Sequence, residues 1–329
     1  MRLLNFSKTL AGFVLLLCSP ALWAADKVTF QLDWLPGGDK AAVYVGIAKG
    51  FFADEGLEVE IAQGRGSTDA ITKLATGRSD VGLADIGALL AARAESNVEV
   101  KAVMTVFSDA PHAFFTLEDS GINGVADIDG KRLASSPFTS SNMFLPLLLD
   151  MSGLPEDSVK LIKADPGALN PMLVNGATDA IIAWVTDIPK YRAQAEGAGK
   201  SIKVIPWYSA GLSIYSSSLI ASETFIDERP DVAKRFVRAY KKSMDYTWAN
   251  PEESGAAVHT AVPEVDALIA AETIKSIKSL VYNDISAKDG LGALEAKRLE
   301  KTWQIVAKAK GLDSAALDPE AAVSRQLLD

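Results

Sequence analysis

The strongest constraint on the fold is a repeated succession of short strand patterns and amphipathic helical patterns. Apolar and polar residues alternate from Val28 to Leu32, and further strand patterns lie at 57–61, 81–83 and 98–106. Gly50 and Gly77 occupy positions between them that are typical of helix C-caps. This succession predicts an α/β lobe whose parallel strands are joined by helical crossovers.

A second set of strand patterns begins after Pro111 and predicts a second lobe. These strands are expected near 113–117, 132–135, 159–163, 180–183 and 202–205. From Pro230 onward the apolar residues recur at helical spacing, and three or four helices are expected to complete the chain. The predicted fold class is therefore α/β, with two Rossmann-like lobes and a helical C-terminal part.

One internal similarity links the two lobes. The segment 74–80, followed by Ala84, is echoed at a constant offset by the segment 173–179, followed by Ala183. Each copy has the pattern of a helix, a glycine cap and a strand. We interpret this as a shared plan, with Asp85 and Trp184 directly after the matched strands. A chance match is the alternative, because few positions are identical.

The first 24 residues have the pattern of a cleavable export signal. Arg2 and Lys8 precede an apolar stretch at 10–17, and small residues follow at 21–24. The stretch is about half of the ~20 residues that a membrane span needs, so we predict an exported protein whose mature chain starts near Ala25. The only cysteine, Cys18, lies in this segment. Lipid attachment there is the alternative, although Leu17 before it is not a small residue.

Composition excludes several functional classes. Without the signal the chain has no cysteine, which rules out disulfides, thiolate metal sites and a cysteine nucleophile. The formal net charge of -9 provides no basic excess for nucleic acid.

The segment 64–69 begins like a dinucleotide-binding loop but has Asp69 at the place of the final glycine. His112 and His259 are far apart in sequence. We therefore predict no catalytic residue, no metal and no cofactor.

Candidate binding residues follow from the predicted topology. In open α/β sheets, ligands bind beyond the carboxyl ends of the parallel strands, where helix N-termini present free N–H groups. In the first lobe these positions hold Trp34, Lys40, Tyr44, Ser67, Thr68 and Asp85, and in the second lobe Ser136, Thr139, Ser140, Trp184 and Asp187. Tyr208 is expected at the floor of the cleft. A tryptophan from each lobe suits a flat ring, since an aromatic contact contributes about 0.5 to 1.5 kcal/mol beyond area burial.

Five of these residues have a structural alternative. Trp34 and Trp184 could fill core space, and Asp85 and Asp187 could cap helices, which is a common use of aspartate at such junctions. Lys40 is either a solvated surface charge or, beside Trp34, the partner of an anionic ligand group.

Several segments together resemble the periplasmic solute-binding proteins of ABC importers, in the branch that includes thiamine-pyrimidine, riboflavin, nitrate, sulfonate and taurine binders. The segments that carry the resemblance are 32–36, 44–52, 55–59, 77–80 and 127–132. The resemblance implies a type II periplasmic-binding architecture in which the chain crosses between lobes twice, near 107–111 and 206–212. Lobe one would then comprise 25–108 and 212–329, and lobe two 109–211.

The Asp33-Trp34-Leu35-Pro36 opening is most similar to that of pyrimidine-precursor binders, and this implies a stacking role for Trp34. Those proteins usually continue with Asn and a later His, where this chain has Gly37 and Lys40. The difference leaves room for a negatively charged aromatic or another small anion. The related pyrimidine-forming enzymes use a histidine and a cysteine-rich motif that this chain lacks.

The expected function is non-catalytic capture of a small, flat heteroaromatic solute between two closing lobes. The resemblance implies delivery to a membrane permease with its cytoplasmic ATPase, and a monomer suits one copy for each importer. Three alternatives stay open. The ligand could be an organic anion such as a sulfonate, nitrate or an aromatic carboxylate, the chain could be a secreted enzyme on the same fold, or it could report its ligand to a membrane kinase.

Overall fold

The structure is a computed structural model that describes residues 24–328. The predicted export signal and Cys18 lie outside the described residues, apart from Ala24. The strands are β1 (Asp26–Gln31), β2 (Leu57–Ala62), β3 (Val81–Asp85), β4 (Val100–Thr105), β5 (His112–Leu117), β6 (Arg132–Ser135), β7 (Lys160–Lys163), β8 (Ala180–Trp184), β9 (Ile202–Pro206) and β10 (Ser217–Ser222). The first nine confirm the strands predicted from the sequence.

The helices follow these strands in the expected alternation. They are α1 (Ala41–Ala48), α2 (Phe51–Asp54), α3 (Ser67–Ala75), α4 (Ile86–Ser96), α5 (Ser141–Met151), α6 (Leu169–Val174), α7 (Ile188–Gly197), α8 (Glu223–Glu228), α9 (Pro230–Ala249), α10 (Pro251–Ala261), α11 (Ala267–Ser276), α12 (Lys278–Val281), α13 (Asp284–Asp289) and α14 (Ala296–Lys310). From Pro230 to Leu328 the chain forms six helices, α9 to α14, where three or four were expected. The short helices α12 and α13 account for the difference from four. No helix within residues 24–328 is both long and apolar enough to cross a bilayer.

The strands form two five-stranded sheets of the same plan. The first has the order β2-β1-β3-β10-β4 and the second the order β7-β6-β8-β5-β9. In each sheet the first three strands are parallel, and the fourth runs antiparallel to both of its neighbours. The predicted α/β class is confirmed. The sheets are mixed, however, and not purely parallel as the strand-helix alternation suggested.

The internal similarity corresponds to equivalent contacts in the two sheets. The carboxylate of Asp80 accepts a hydrogen bond from the backbone N–H of Thr29 at 2.8 Å, and that of Asp179 accepts one from Arg132 at 2.7 Å. Gly77 and Gly176 precede these aspartates, and both have left-handed backbone angles, with φ of 68° and 70°. The helix, glycine and strand of each copy thus occupy the same place in their lobes.

Strand β10 was not predicted, and it returns the chain to the first sheet. It enters between β3 and β4, and the backbone N–H of Phe107, in the first crossing segment, donates to the carbonyl of Ser217 at the start of β10 at 2.8 Å. We propose lobe boundaries after residues 108 and 211, as predicted from the sequence. With these boundaries each sheet lies within one lobe.

The C-terminal helices cover the first sheet. Phe30 of β1 stacks on Phe236 and Tyr240 of α9, with ring centroids 5.9 and 5.8 Å apart. On α14, Trp303 is fully buried, and its indole N–H donates to the carbonyl of Ser314 at 2.7 Å. The contacts of α9 place part of the lobe-one core against one face of this sheet.

Candidate functional site

The two lobes enclose a narrow pocket, which we call the tryptophan slot. Its walls come from the strand ends and helix starts of both lobes and consist of Asp33, Trp34, Asp39, Gly66 and Ser67 from lobe one and Thr139, Ala183, Trp184 and Thr186 from lobe two. Of the predicted site residues, Trp34, Ser67, Thr139 and Trp184 therefore lie together.

The two slot tryptophans pack across the junction in opposite directions. Trp34 belongs to lobe one but packs against the lobe-two core cluster that contains Phe115 and Tyr191. Trp184 ends β8 of lobe two but is buried in the lobe-one cluster, where Phe107 meets it edge-on at 6.4 Å. Both indole N–H groups are buried without a hydrogen-bond partner. The indole N–H groups of Trp207 and Trp248 in the core also have no partner, but of these four tryptophans only Trp34 and Trp184 line the slot, so only these two can meet an acceptor on a ligand there.

Beside the slot lies a buried charge cluster of Asp33, Asp39 and Lys40, in which one ammonium serves two carboxylates. The Nζ of Lys40 is 2.6 Å from Asp33 and 3.0 Å from Asp39. Lys40 is only 1% exposed, so the surface alternative for this residue is wrong. Burial alone would lower the pKa of Lys40, but the two carboxylates raise it above its usual value. Burial raises the pKa of Asp33, an effect only partly offset by Lys40.

This cluster has a net negative charge when all three groups are ionised. Its ammonium does not line the slot, whereas both carboxylate residues do. Asp39 was missed by sequence reasoning. Its position within six residues of Trp34 and directly before Lys40 was the only available signal, and such a signal does not distinguish a buried ion pair from a surface one.

Two predicted residues make hydrogen bonds between the lobes outside the slot. The hydroxyl of Thr68 donates to the carbonyl of Phe138 at 2.9 Å, and that of Ser136 donates to the carbonyl of Arg65 at 2.9 Å. The guanidinium of Arg65 also lies 4.5 Å from the Phe138 ring centroid. The lobes are therefore in direct contact at this edge of the cleft.

Gly66 permits this contact. A Cβ atom at Gly66 would lie 2.1 Å from the carbonyl oxygen of Phe138, which is far inside van der Waals contact. Ser67, the next residue, lines the slot, and its hydroxyl accepts a hydrogen bond from the backbone N–H of Asp85 at 3.0 Å.

Four other predicted residues lie outside the slot. Asp85 caps α4 by accepting from the N–H of Gly87 at 2.8 Å, so it has the structural role that was its alternative. Tyr44 is buried in the lobe-one core, where burial raises its pKa to about 12. Ser140 has a buried hydroxyl without a partner, and Tyr208 is 51% exposed and does not line the slot.

Asp187, the remaining predicted residue, lines a neighbouring space between α7 and α11, which we call the side chamber. Burial and the nearby Asp39 raise the pKa of this carboxyl to about 7. Asp39 and Thr186 line both the slot and the side chamber. The two spaces are therefore neighbours with shared walls.

A serine, a histidine and an aspartate also meet between the lobes. The Nδ1 of His112 is 2.8 Å from the hydroxyl of Ser141, and its Nε2 is 3.5 Å from the carboxylate of Asp85. All three side chains are fully buried, and none lines the slot or the side chamber. His112 and Ser141 both belong to lobe two, and the contact of His112 with Asp85 links the two lobes. Within residues 24–328, no three His, Cys, Asp or Glu side chains are grouped to hold a metal ion.

Relatives of the chain are named mainly as binding proteins. It is 25% identical over 310 residues to the riboflavin-binding protein RibY of Chloroflexus aurantiacus, covering 92% of this chain and 86% of that protein. It is 25% identical over 281 residues to the formylaminopyrimidine-binding protein of Halalkalibacterium halodurans, covering 84% of each. One relative, from Candida albicans, is named a 4-amino-5-hydroxymethyl-2-methylpyrimidine phosphate synthase and is 24% identical over 242 residues, which are 71% of this chain and 70% of that protein.

The fold matches solved periplasmic binding proteins. The alkanesulfonate-binding protein SsuA of Xanthomonas axonopodis, solved with MOPS, superposes with a TM-score of 0.70 at 15% identity, covering 92% of this chain and 98% of that one. This confirms the type II periplasmic-binding architecture that the resemblance implied. The family description NMT1/THI5 like matches residues 38–254. Since this match spans more than half of the chain, the protein belongs to the NMT1/THI5-like family.

Proposed function

We propose that this protein is the periplasmic solute-binding component of an ABC importer and that it holds a flat nitrogen heterocycle in the tryptophan slot. The observation that carries the proposal is the pair Trp34 and Trp184, which come from different lobes and line one pocket with unpartnered indole N–H groups. A flat ring would stack on the two indole rings, and its ring nitrogens would accept hydrogen bonds from the two indole N–H groups.

The charge of the site favours a ring with N–H or amino donors over an organic anion. Asp33 and Asp39 line the slot, while the ammonium of Lys40 already pairs with both. An anion about 4 Å from an uncompensated carboxylate would be disfavoured by roughly 4 kcal/mol at an effective dielectric constant near 20. The carboxylates would instead accept hydrogen bonds from amino groups on a heterocycle.

Non-catalytic binding agrees with the inaccessible His112. A secreted enzyme would need an acid, base or nucleophile within hydrogen-bond reach of its substrate. Of the slot groups that could take such a role, the carboxylates of Asp33 and Asp39 are already paired with Lys40. In the described part of the chain, the slot walls include no histidine, lysine or cysteine beside them. The slot therefore supports capture of a solute better than its chemical conversion.

Delivery to a membrane permease with its cytoplasmic ATPase would follow from closure of the lobes. Ligand groups contacted by both lobes favour the closed state, because only that state lets Trp34 and Trp184 act together. We further propose that the protein acts as a monomer in the periplasm, with one copy engaging each importer.

The identity of the bound molecule tests this proposal. Protein purified without denaturation should release a neutral or cationic nitrogen heterocycle when it is unfolded, and mass spectrometry should detect it. Trp34→Ala protein from the same cells should release much less. Release of a sulfonate or carboxylate would contradict the charge argument, and chemical conversion of the released compound by fresh protein would contradict the binding role.

A further inference from the structure

We infer that the side chamber is a second ligand subsite, which takes a cationic substituent, such as a primary ammonium, on the ring held in the tryptophan slot. The inference rests on the proposed function for the ring and goes beyond it by assigning the charge and place of a second ligand group.

The side chamber is a sizeable space between the lobes. It has a cavity volume of about 150 Å³ and lies between the turn before α1, helix α11 of lobe one and helix α7 of lobe two. Asp39 and Thr186 belong to its wall and to that of the slot. A substituent on a ring in the slot can therefore extend past these two residues without leaving the protein.

Close backbone packing forms the lobe-one wall. A Cβ atom at Gly38 would lie 2.1 Å from the carbonyl oxygen of Ala270, so only glycine allows the turn to rest on α11. On the opposite wall, the side-chain amide N–H of Asn170 donates a hydrogen bond to the side-chain oxygen of Gln194 at 2.7 Å. Both walls are therefore fixed by contacts that do not involve a ligand.

Asp187 supplies the specific evidence for a cation. It lines the side chamber and is 9% exposed, yet among residues 24–328 no basic side chain lies within ion-pair distance of it and no side chain donates a hydrogen bond to it, and its hydrogen-bond contact is with the backbone of Trp184. Buried carboxylates are seldom left without a charged partner. Its position facing a space large enough for a ligand group indicates that the partner is a ligand.

The other charges of the chamber add to this preference. Asp39, Glu264 and Asp266 also line it, and Lys190 is its one basic wall residue in the described chain. The carboxylate of Asp266 is engaged as the cap of α11, accepting from the N–H of Leu268 at 2.8 Å. With Asp39 already shared with Lys40, the chamber has more acidic groups than cations to balance them.

Protonation of Asp187 reduces the uncompensated charge in the side chamber. Burial and Asp39 raise the pKa of Asp187 to about 7, so its carboxyl is partly protonated near neutral pH. A ligand ammonium beside it would favour the ionised form and displace this proton.

A matched pair of ligands tests the subsite. The probes are 4-amino-5-hydroxymethyl-2-methylpyrimidine and the analogue in which an amine replaces the hydroxyl. Calorimetry above about pH 7.5 should show that the wild-type protein prefers the ammonium compound at least tenfold, and that Asp187→Asn removes most of this preference. Asp165→Asn, which removes an exposed carboxylate of the same lobe, should keep it. A preference that survives in Asp187→Asn would overturn the inference.

A probe without a ring separates this inference from the proposed function. Ethylammonium at millimolar concentrations should lower the pKa of Asp187 in wild-type protein, followed by carboxyl carbon NMR, and ethanol should not. If ethylammonium leaves this titration unchanged, the subsite is wrong even where pyrimidines bind. If it lowers the pKa but neither pyrimidine binds, the subsite stands and the proposed ring ligand is wrong.

Discussion

The ammonium of Lys40, from lobe one, lies 5.6 Å from the ring centroid of Trp184, from lobe two. The same ammonium pairs with Asp33 and Asp39, so the buried charge cluster packs against Trp184, which lines the slot. Lys40 thus acts on the slot through protein side chains, and its role differs from direct recognition of an anion.

Replacing Lys40 with methionine should destabilise the fold. The substitution leaves two buried carboxylates without a counter-charge, and breaking a buried pair in this way costs about 3–5 kcal/mol of unfolding free energy. Urea denaturation at neutral pH measures the loss. The deficit should shrink as the pH falls, because burial raises the pKa of Asp33 and its protonation then removes part of the uncompensated charge.

Lys49→Met provides the matched control. Lys49 also pairs with a carboxylate, Glu253, at 2.7 Å, but both side chains are accessible to solvent. Exposed pairs contribute little, so this variant should unfold almost like the wild type. Equal behaviour of the two lysine variants would contradict the buried cluster.

Replacing Trp34 with alanine should weaken ligand binding by about 1 to 3 kcal/mol, because the ring would lose its stacking partner. Calorimetry with the compound released from native protein gives the affinity. Trp248→Ala is the control, since Trp248 is buried in the lobe-one core on α9 and does not line the slot. It should reduce stability and leave affinity nearly unchanged. The reverse pattern would assign Trp34 to the core.

Gly66→Ala should impair closure of the lobes. The added methyl group meets the carbonyl of Phe138, so the contact between Thr68 and Phe138 cannot form as it does here. Small-angle scattering should show a smaller decrease in the radius of gyration on adding ligand than in the wild type. Gly77→Ala has open space around its Cβ position and a left-handed φ, and it controls for backbone strain. A Gly66→Ala protein that compacts fully would contradict closure at this edge.

Local sequence patterns were sufficient to predict nine of the strands, because each has its own alternation or apolar run. Strand β10 was not predicted, because its short serine-flanked segment is stabilised by strands more than 100 residues away in sequence. The plan of the lobes could be predicted for a related reason. The echo of 74–80 at 173–179 reflects equivalent local contacts, such as those of Asp80 and Asp179.

The site was predictable only where strand ends determine it. Trp34, Ser67, Thr139 and Trp184 follow strands or begin helices, and topology brings such positions together. Lys40 is buried by helices that follow it by some 200 residues in sequence. The same part of the chain contributes Asp266 and Ala270 to the wall of the side chamber. No local pattern marks contacts of that range, so the charge cluster and the side chamber required the structure.

Asp187 should make stability depend on pH. Its pKa of about 7 in the folded protein exceeds the value near 3.9 expected when unfolded. The folded state therefore binds the proton more tightly, and this contribution to the unfolding free energy is complete below about pH 4 and lost as the pH rises through 7. The slope is at most about 1.4 kcal/mol per pH unit. The charged groups that face Asp187 are Asp39 and Lys40 of lobe one and Lys190 of α7.

The difference in unfolding free energy between the wild type and Asp187→Asn isolates this group. Glu55 and Asp179, whose pKa values are lowered by Arg238 and Arg132, have the opposite pH dependence but contribute equally to both proteins. Urea denaturation from about pH 4 to pH 8 should show the wild type losing stability relative to the variant. A difference that stays constant over this range would mean that Asp187 keeps the ordinary pKa of an aspartate.

The indole N–H resonances of the tryptophans test the central claim most directly. In a titration of labelled protein with the natively released compound, the signals of Trp34 and Trp184 should both shift and should give the same dissociation constant, because one ligand contacts both lobes. Trp303, whose N–H already donates to Ser314 in the core, should not shift. A ligand that moves neither slot signal, or moves only one of them, would contradict binding between the two tryptophans.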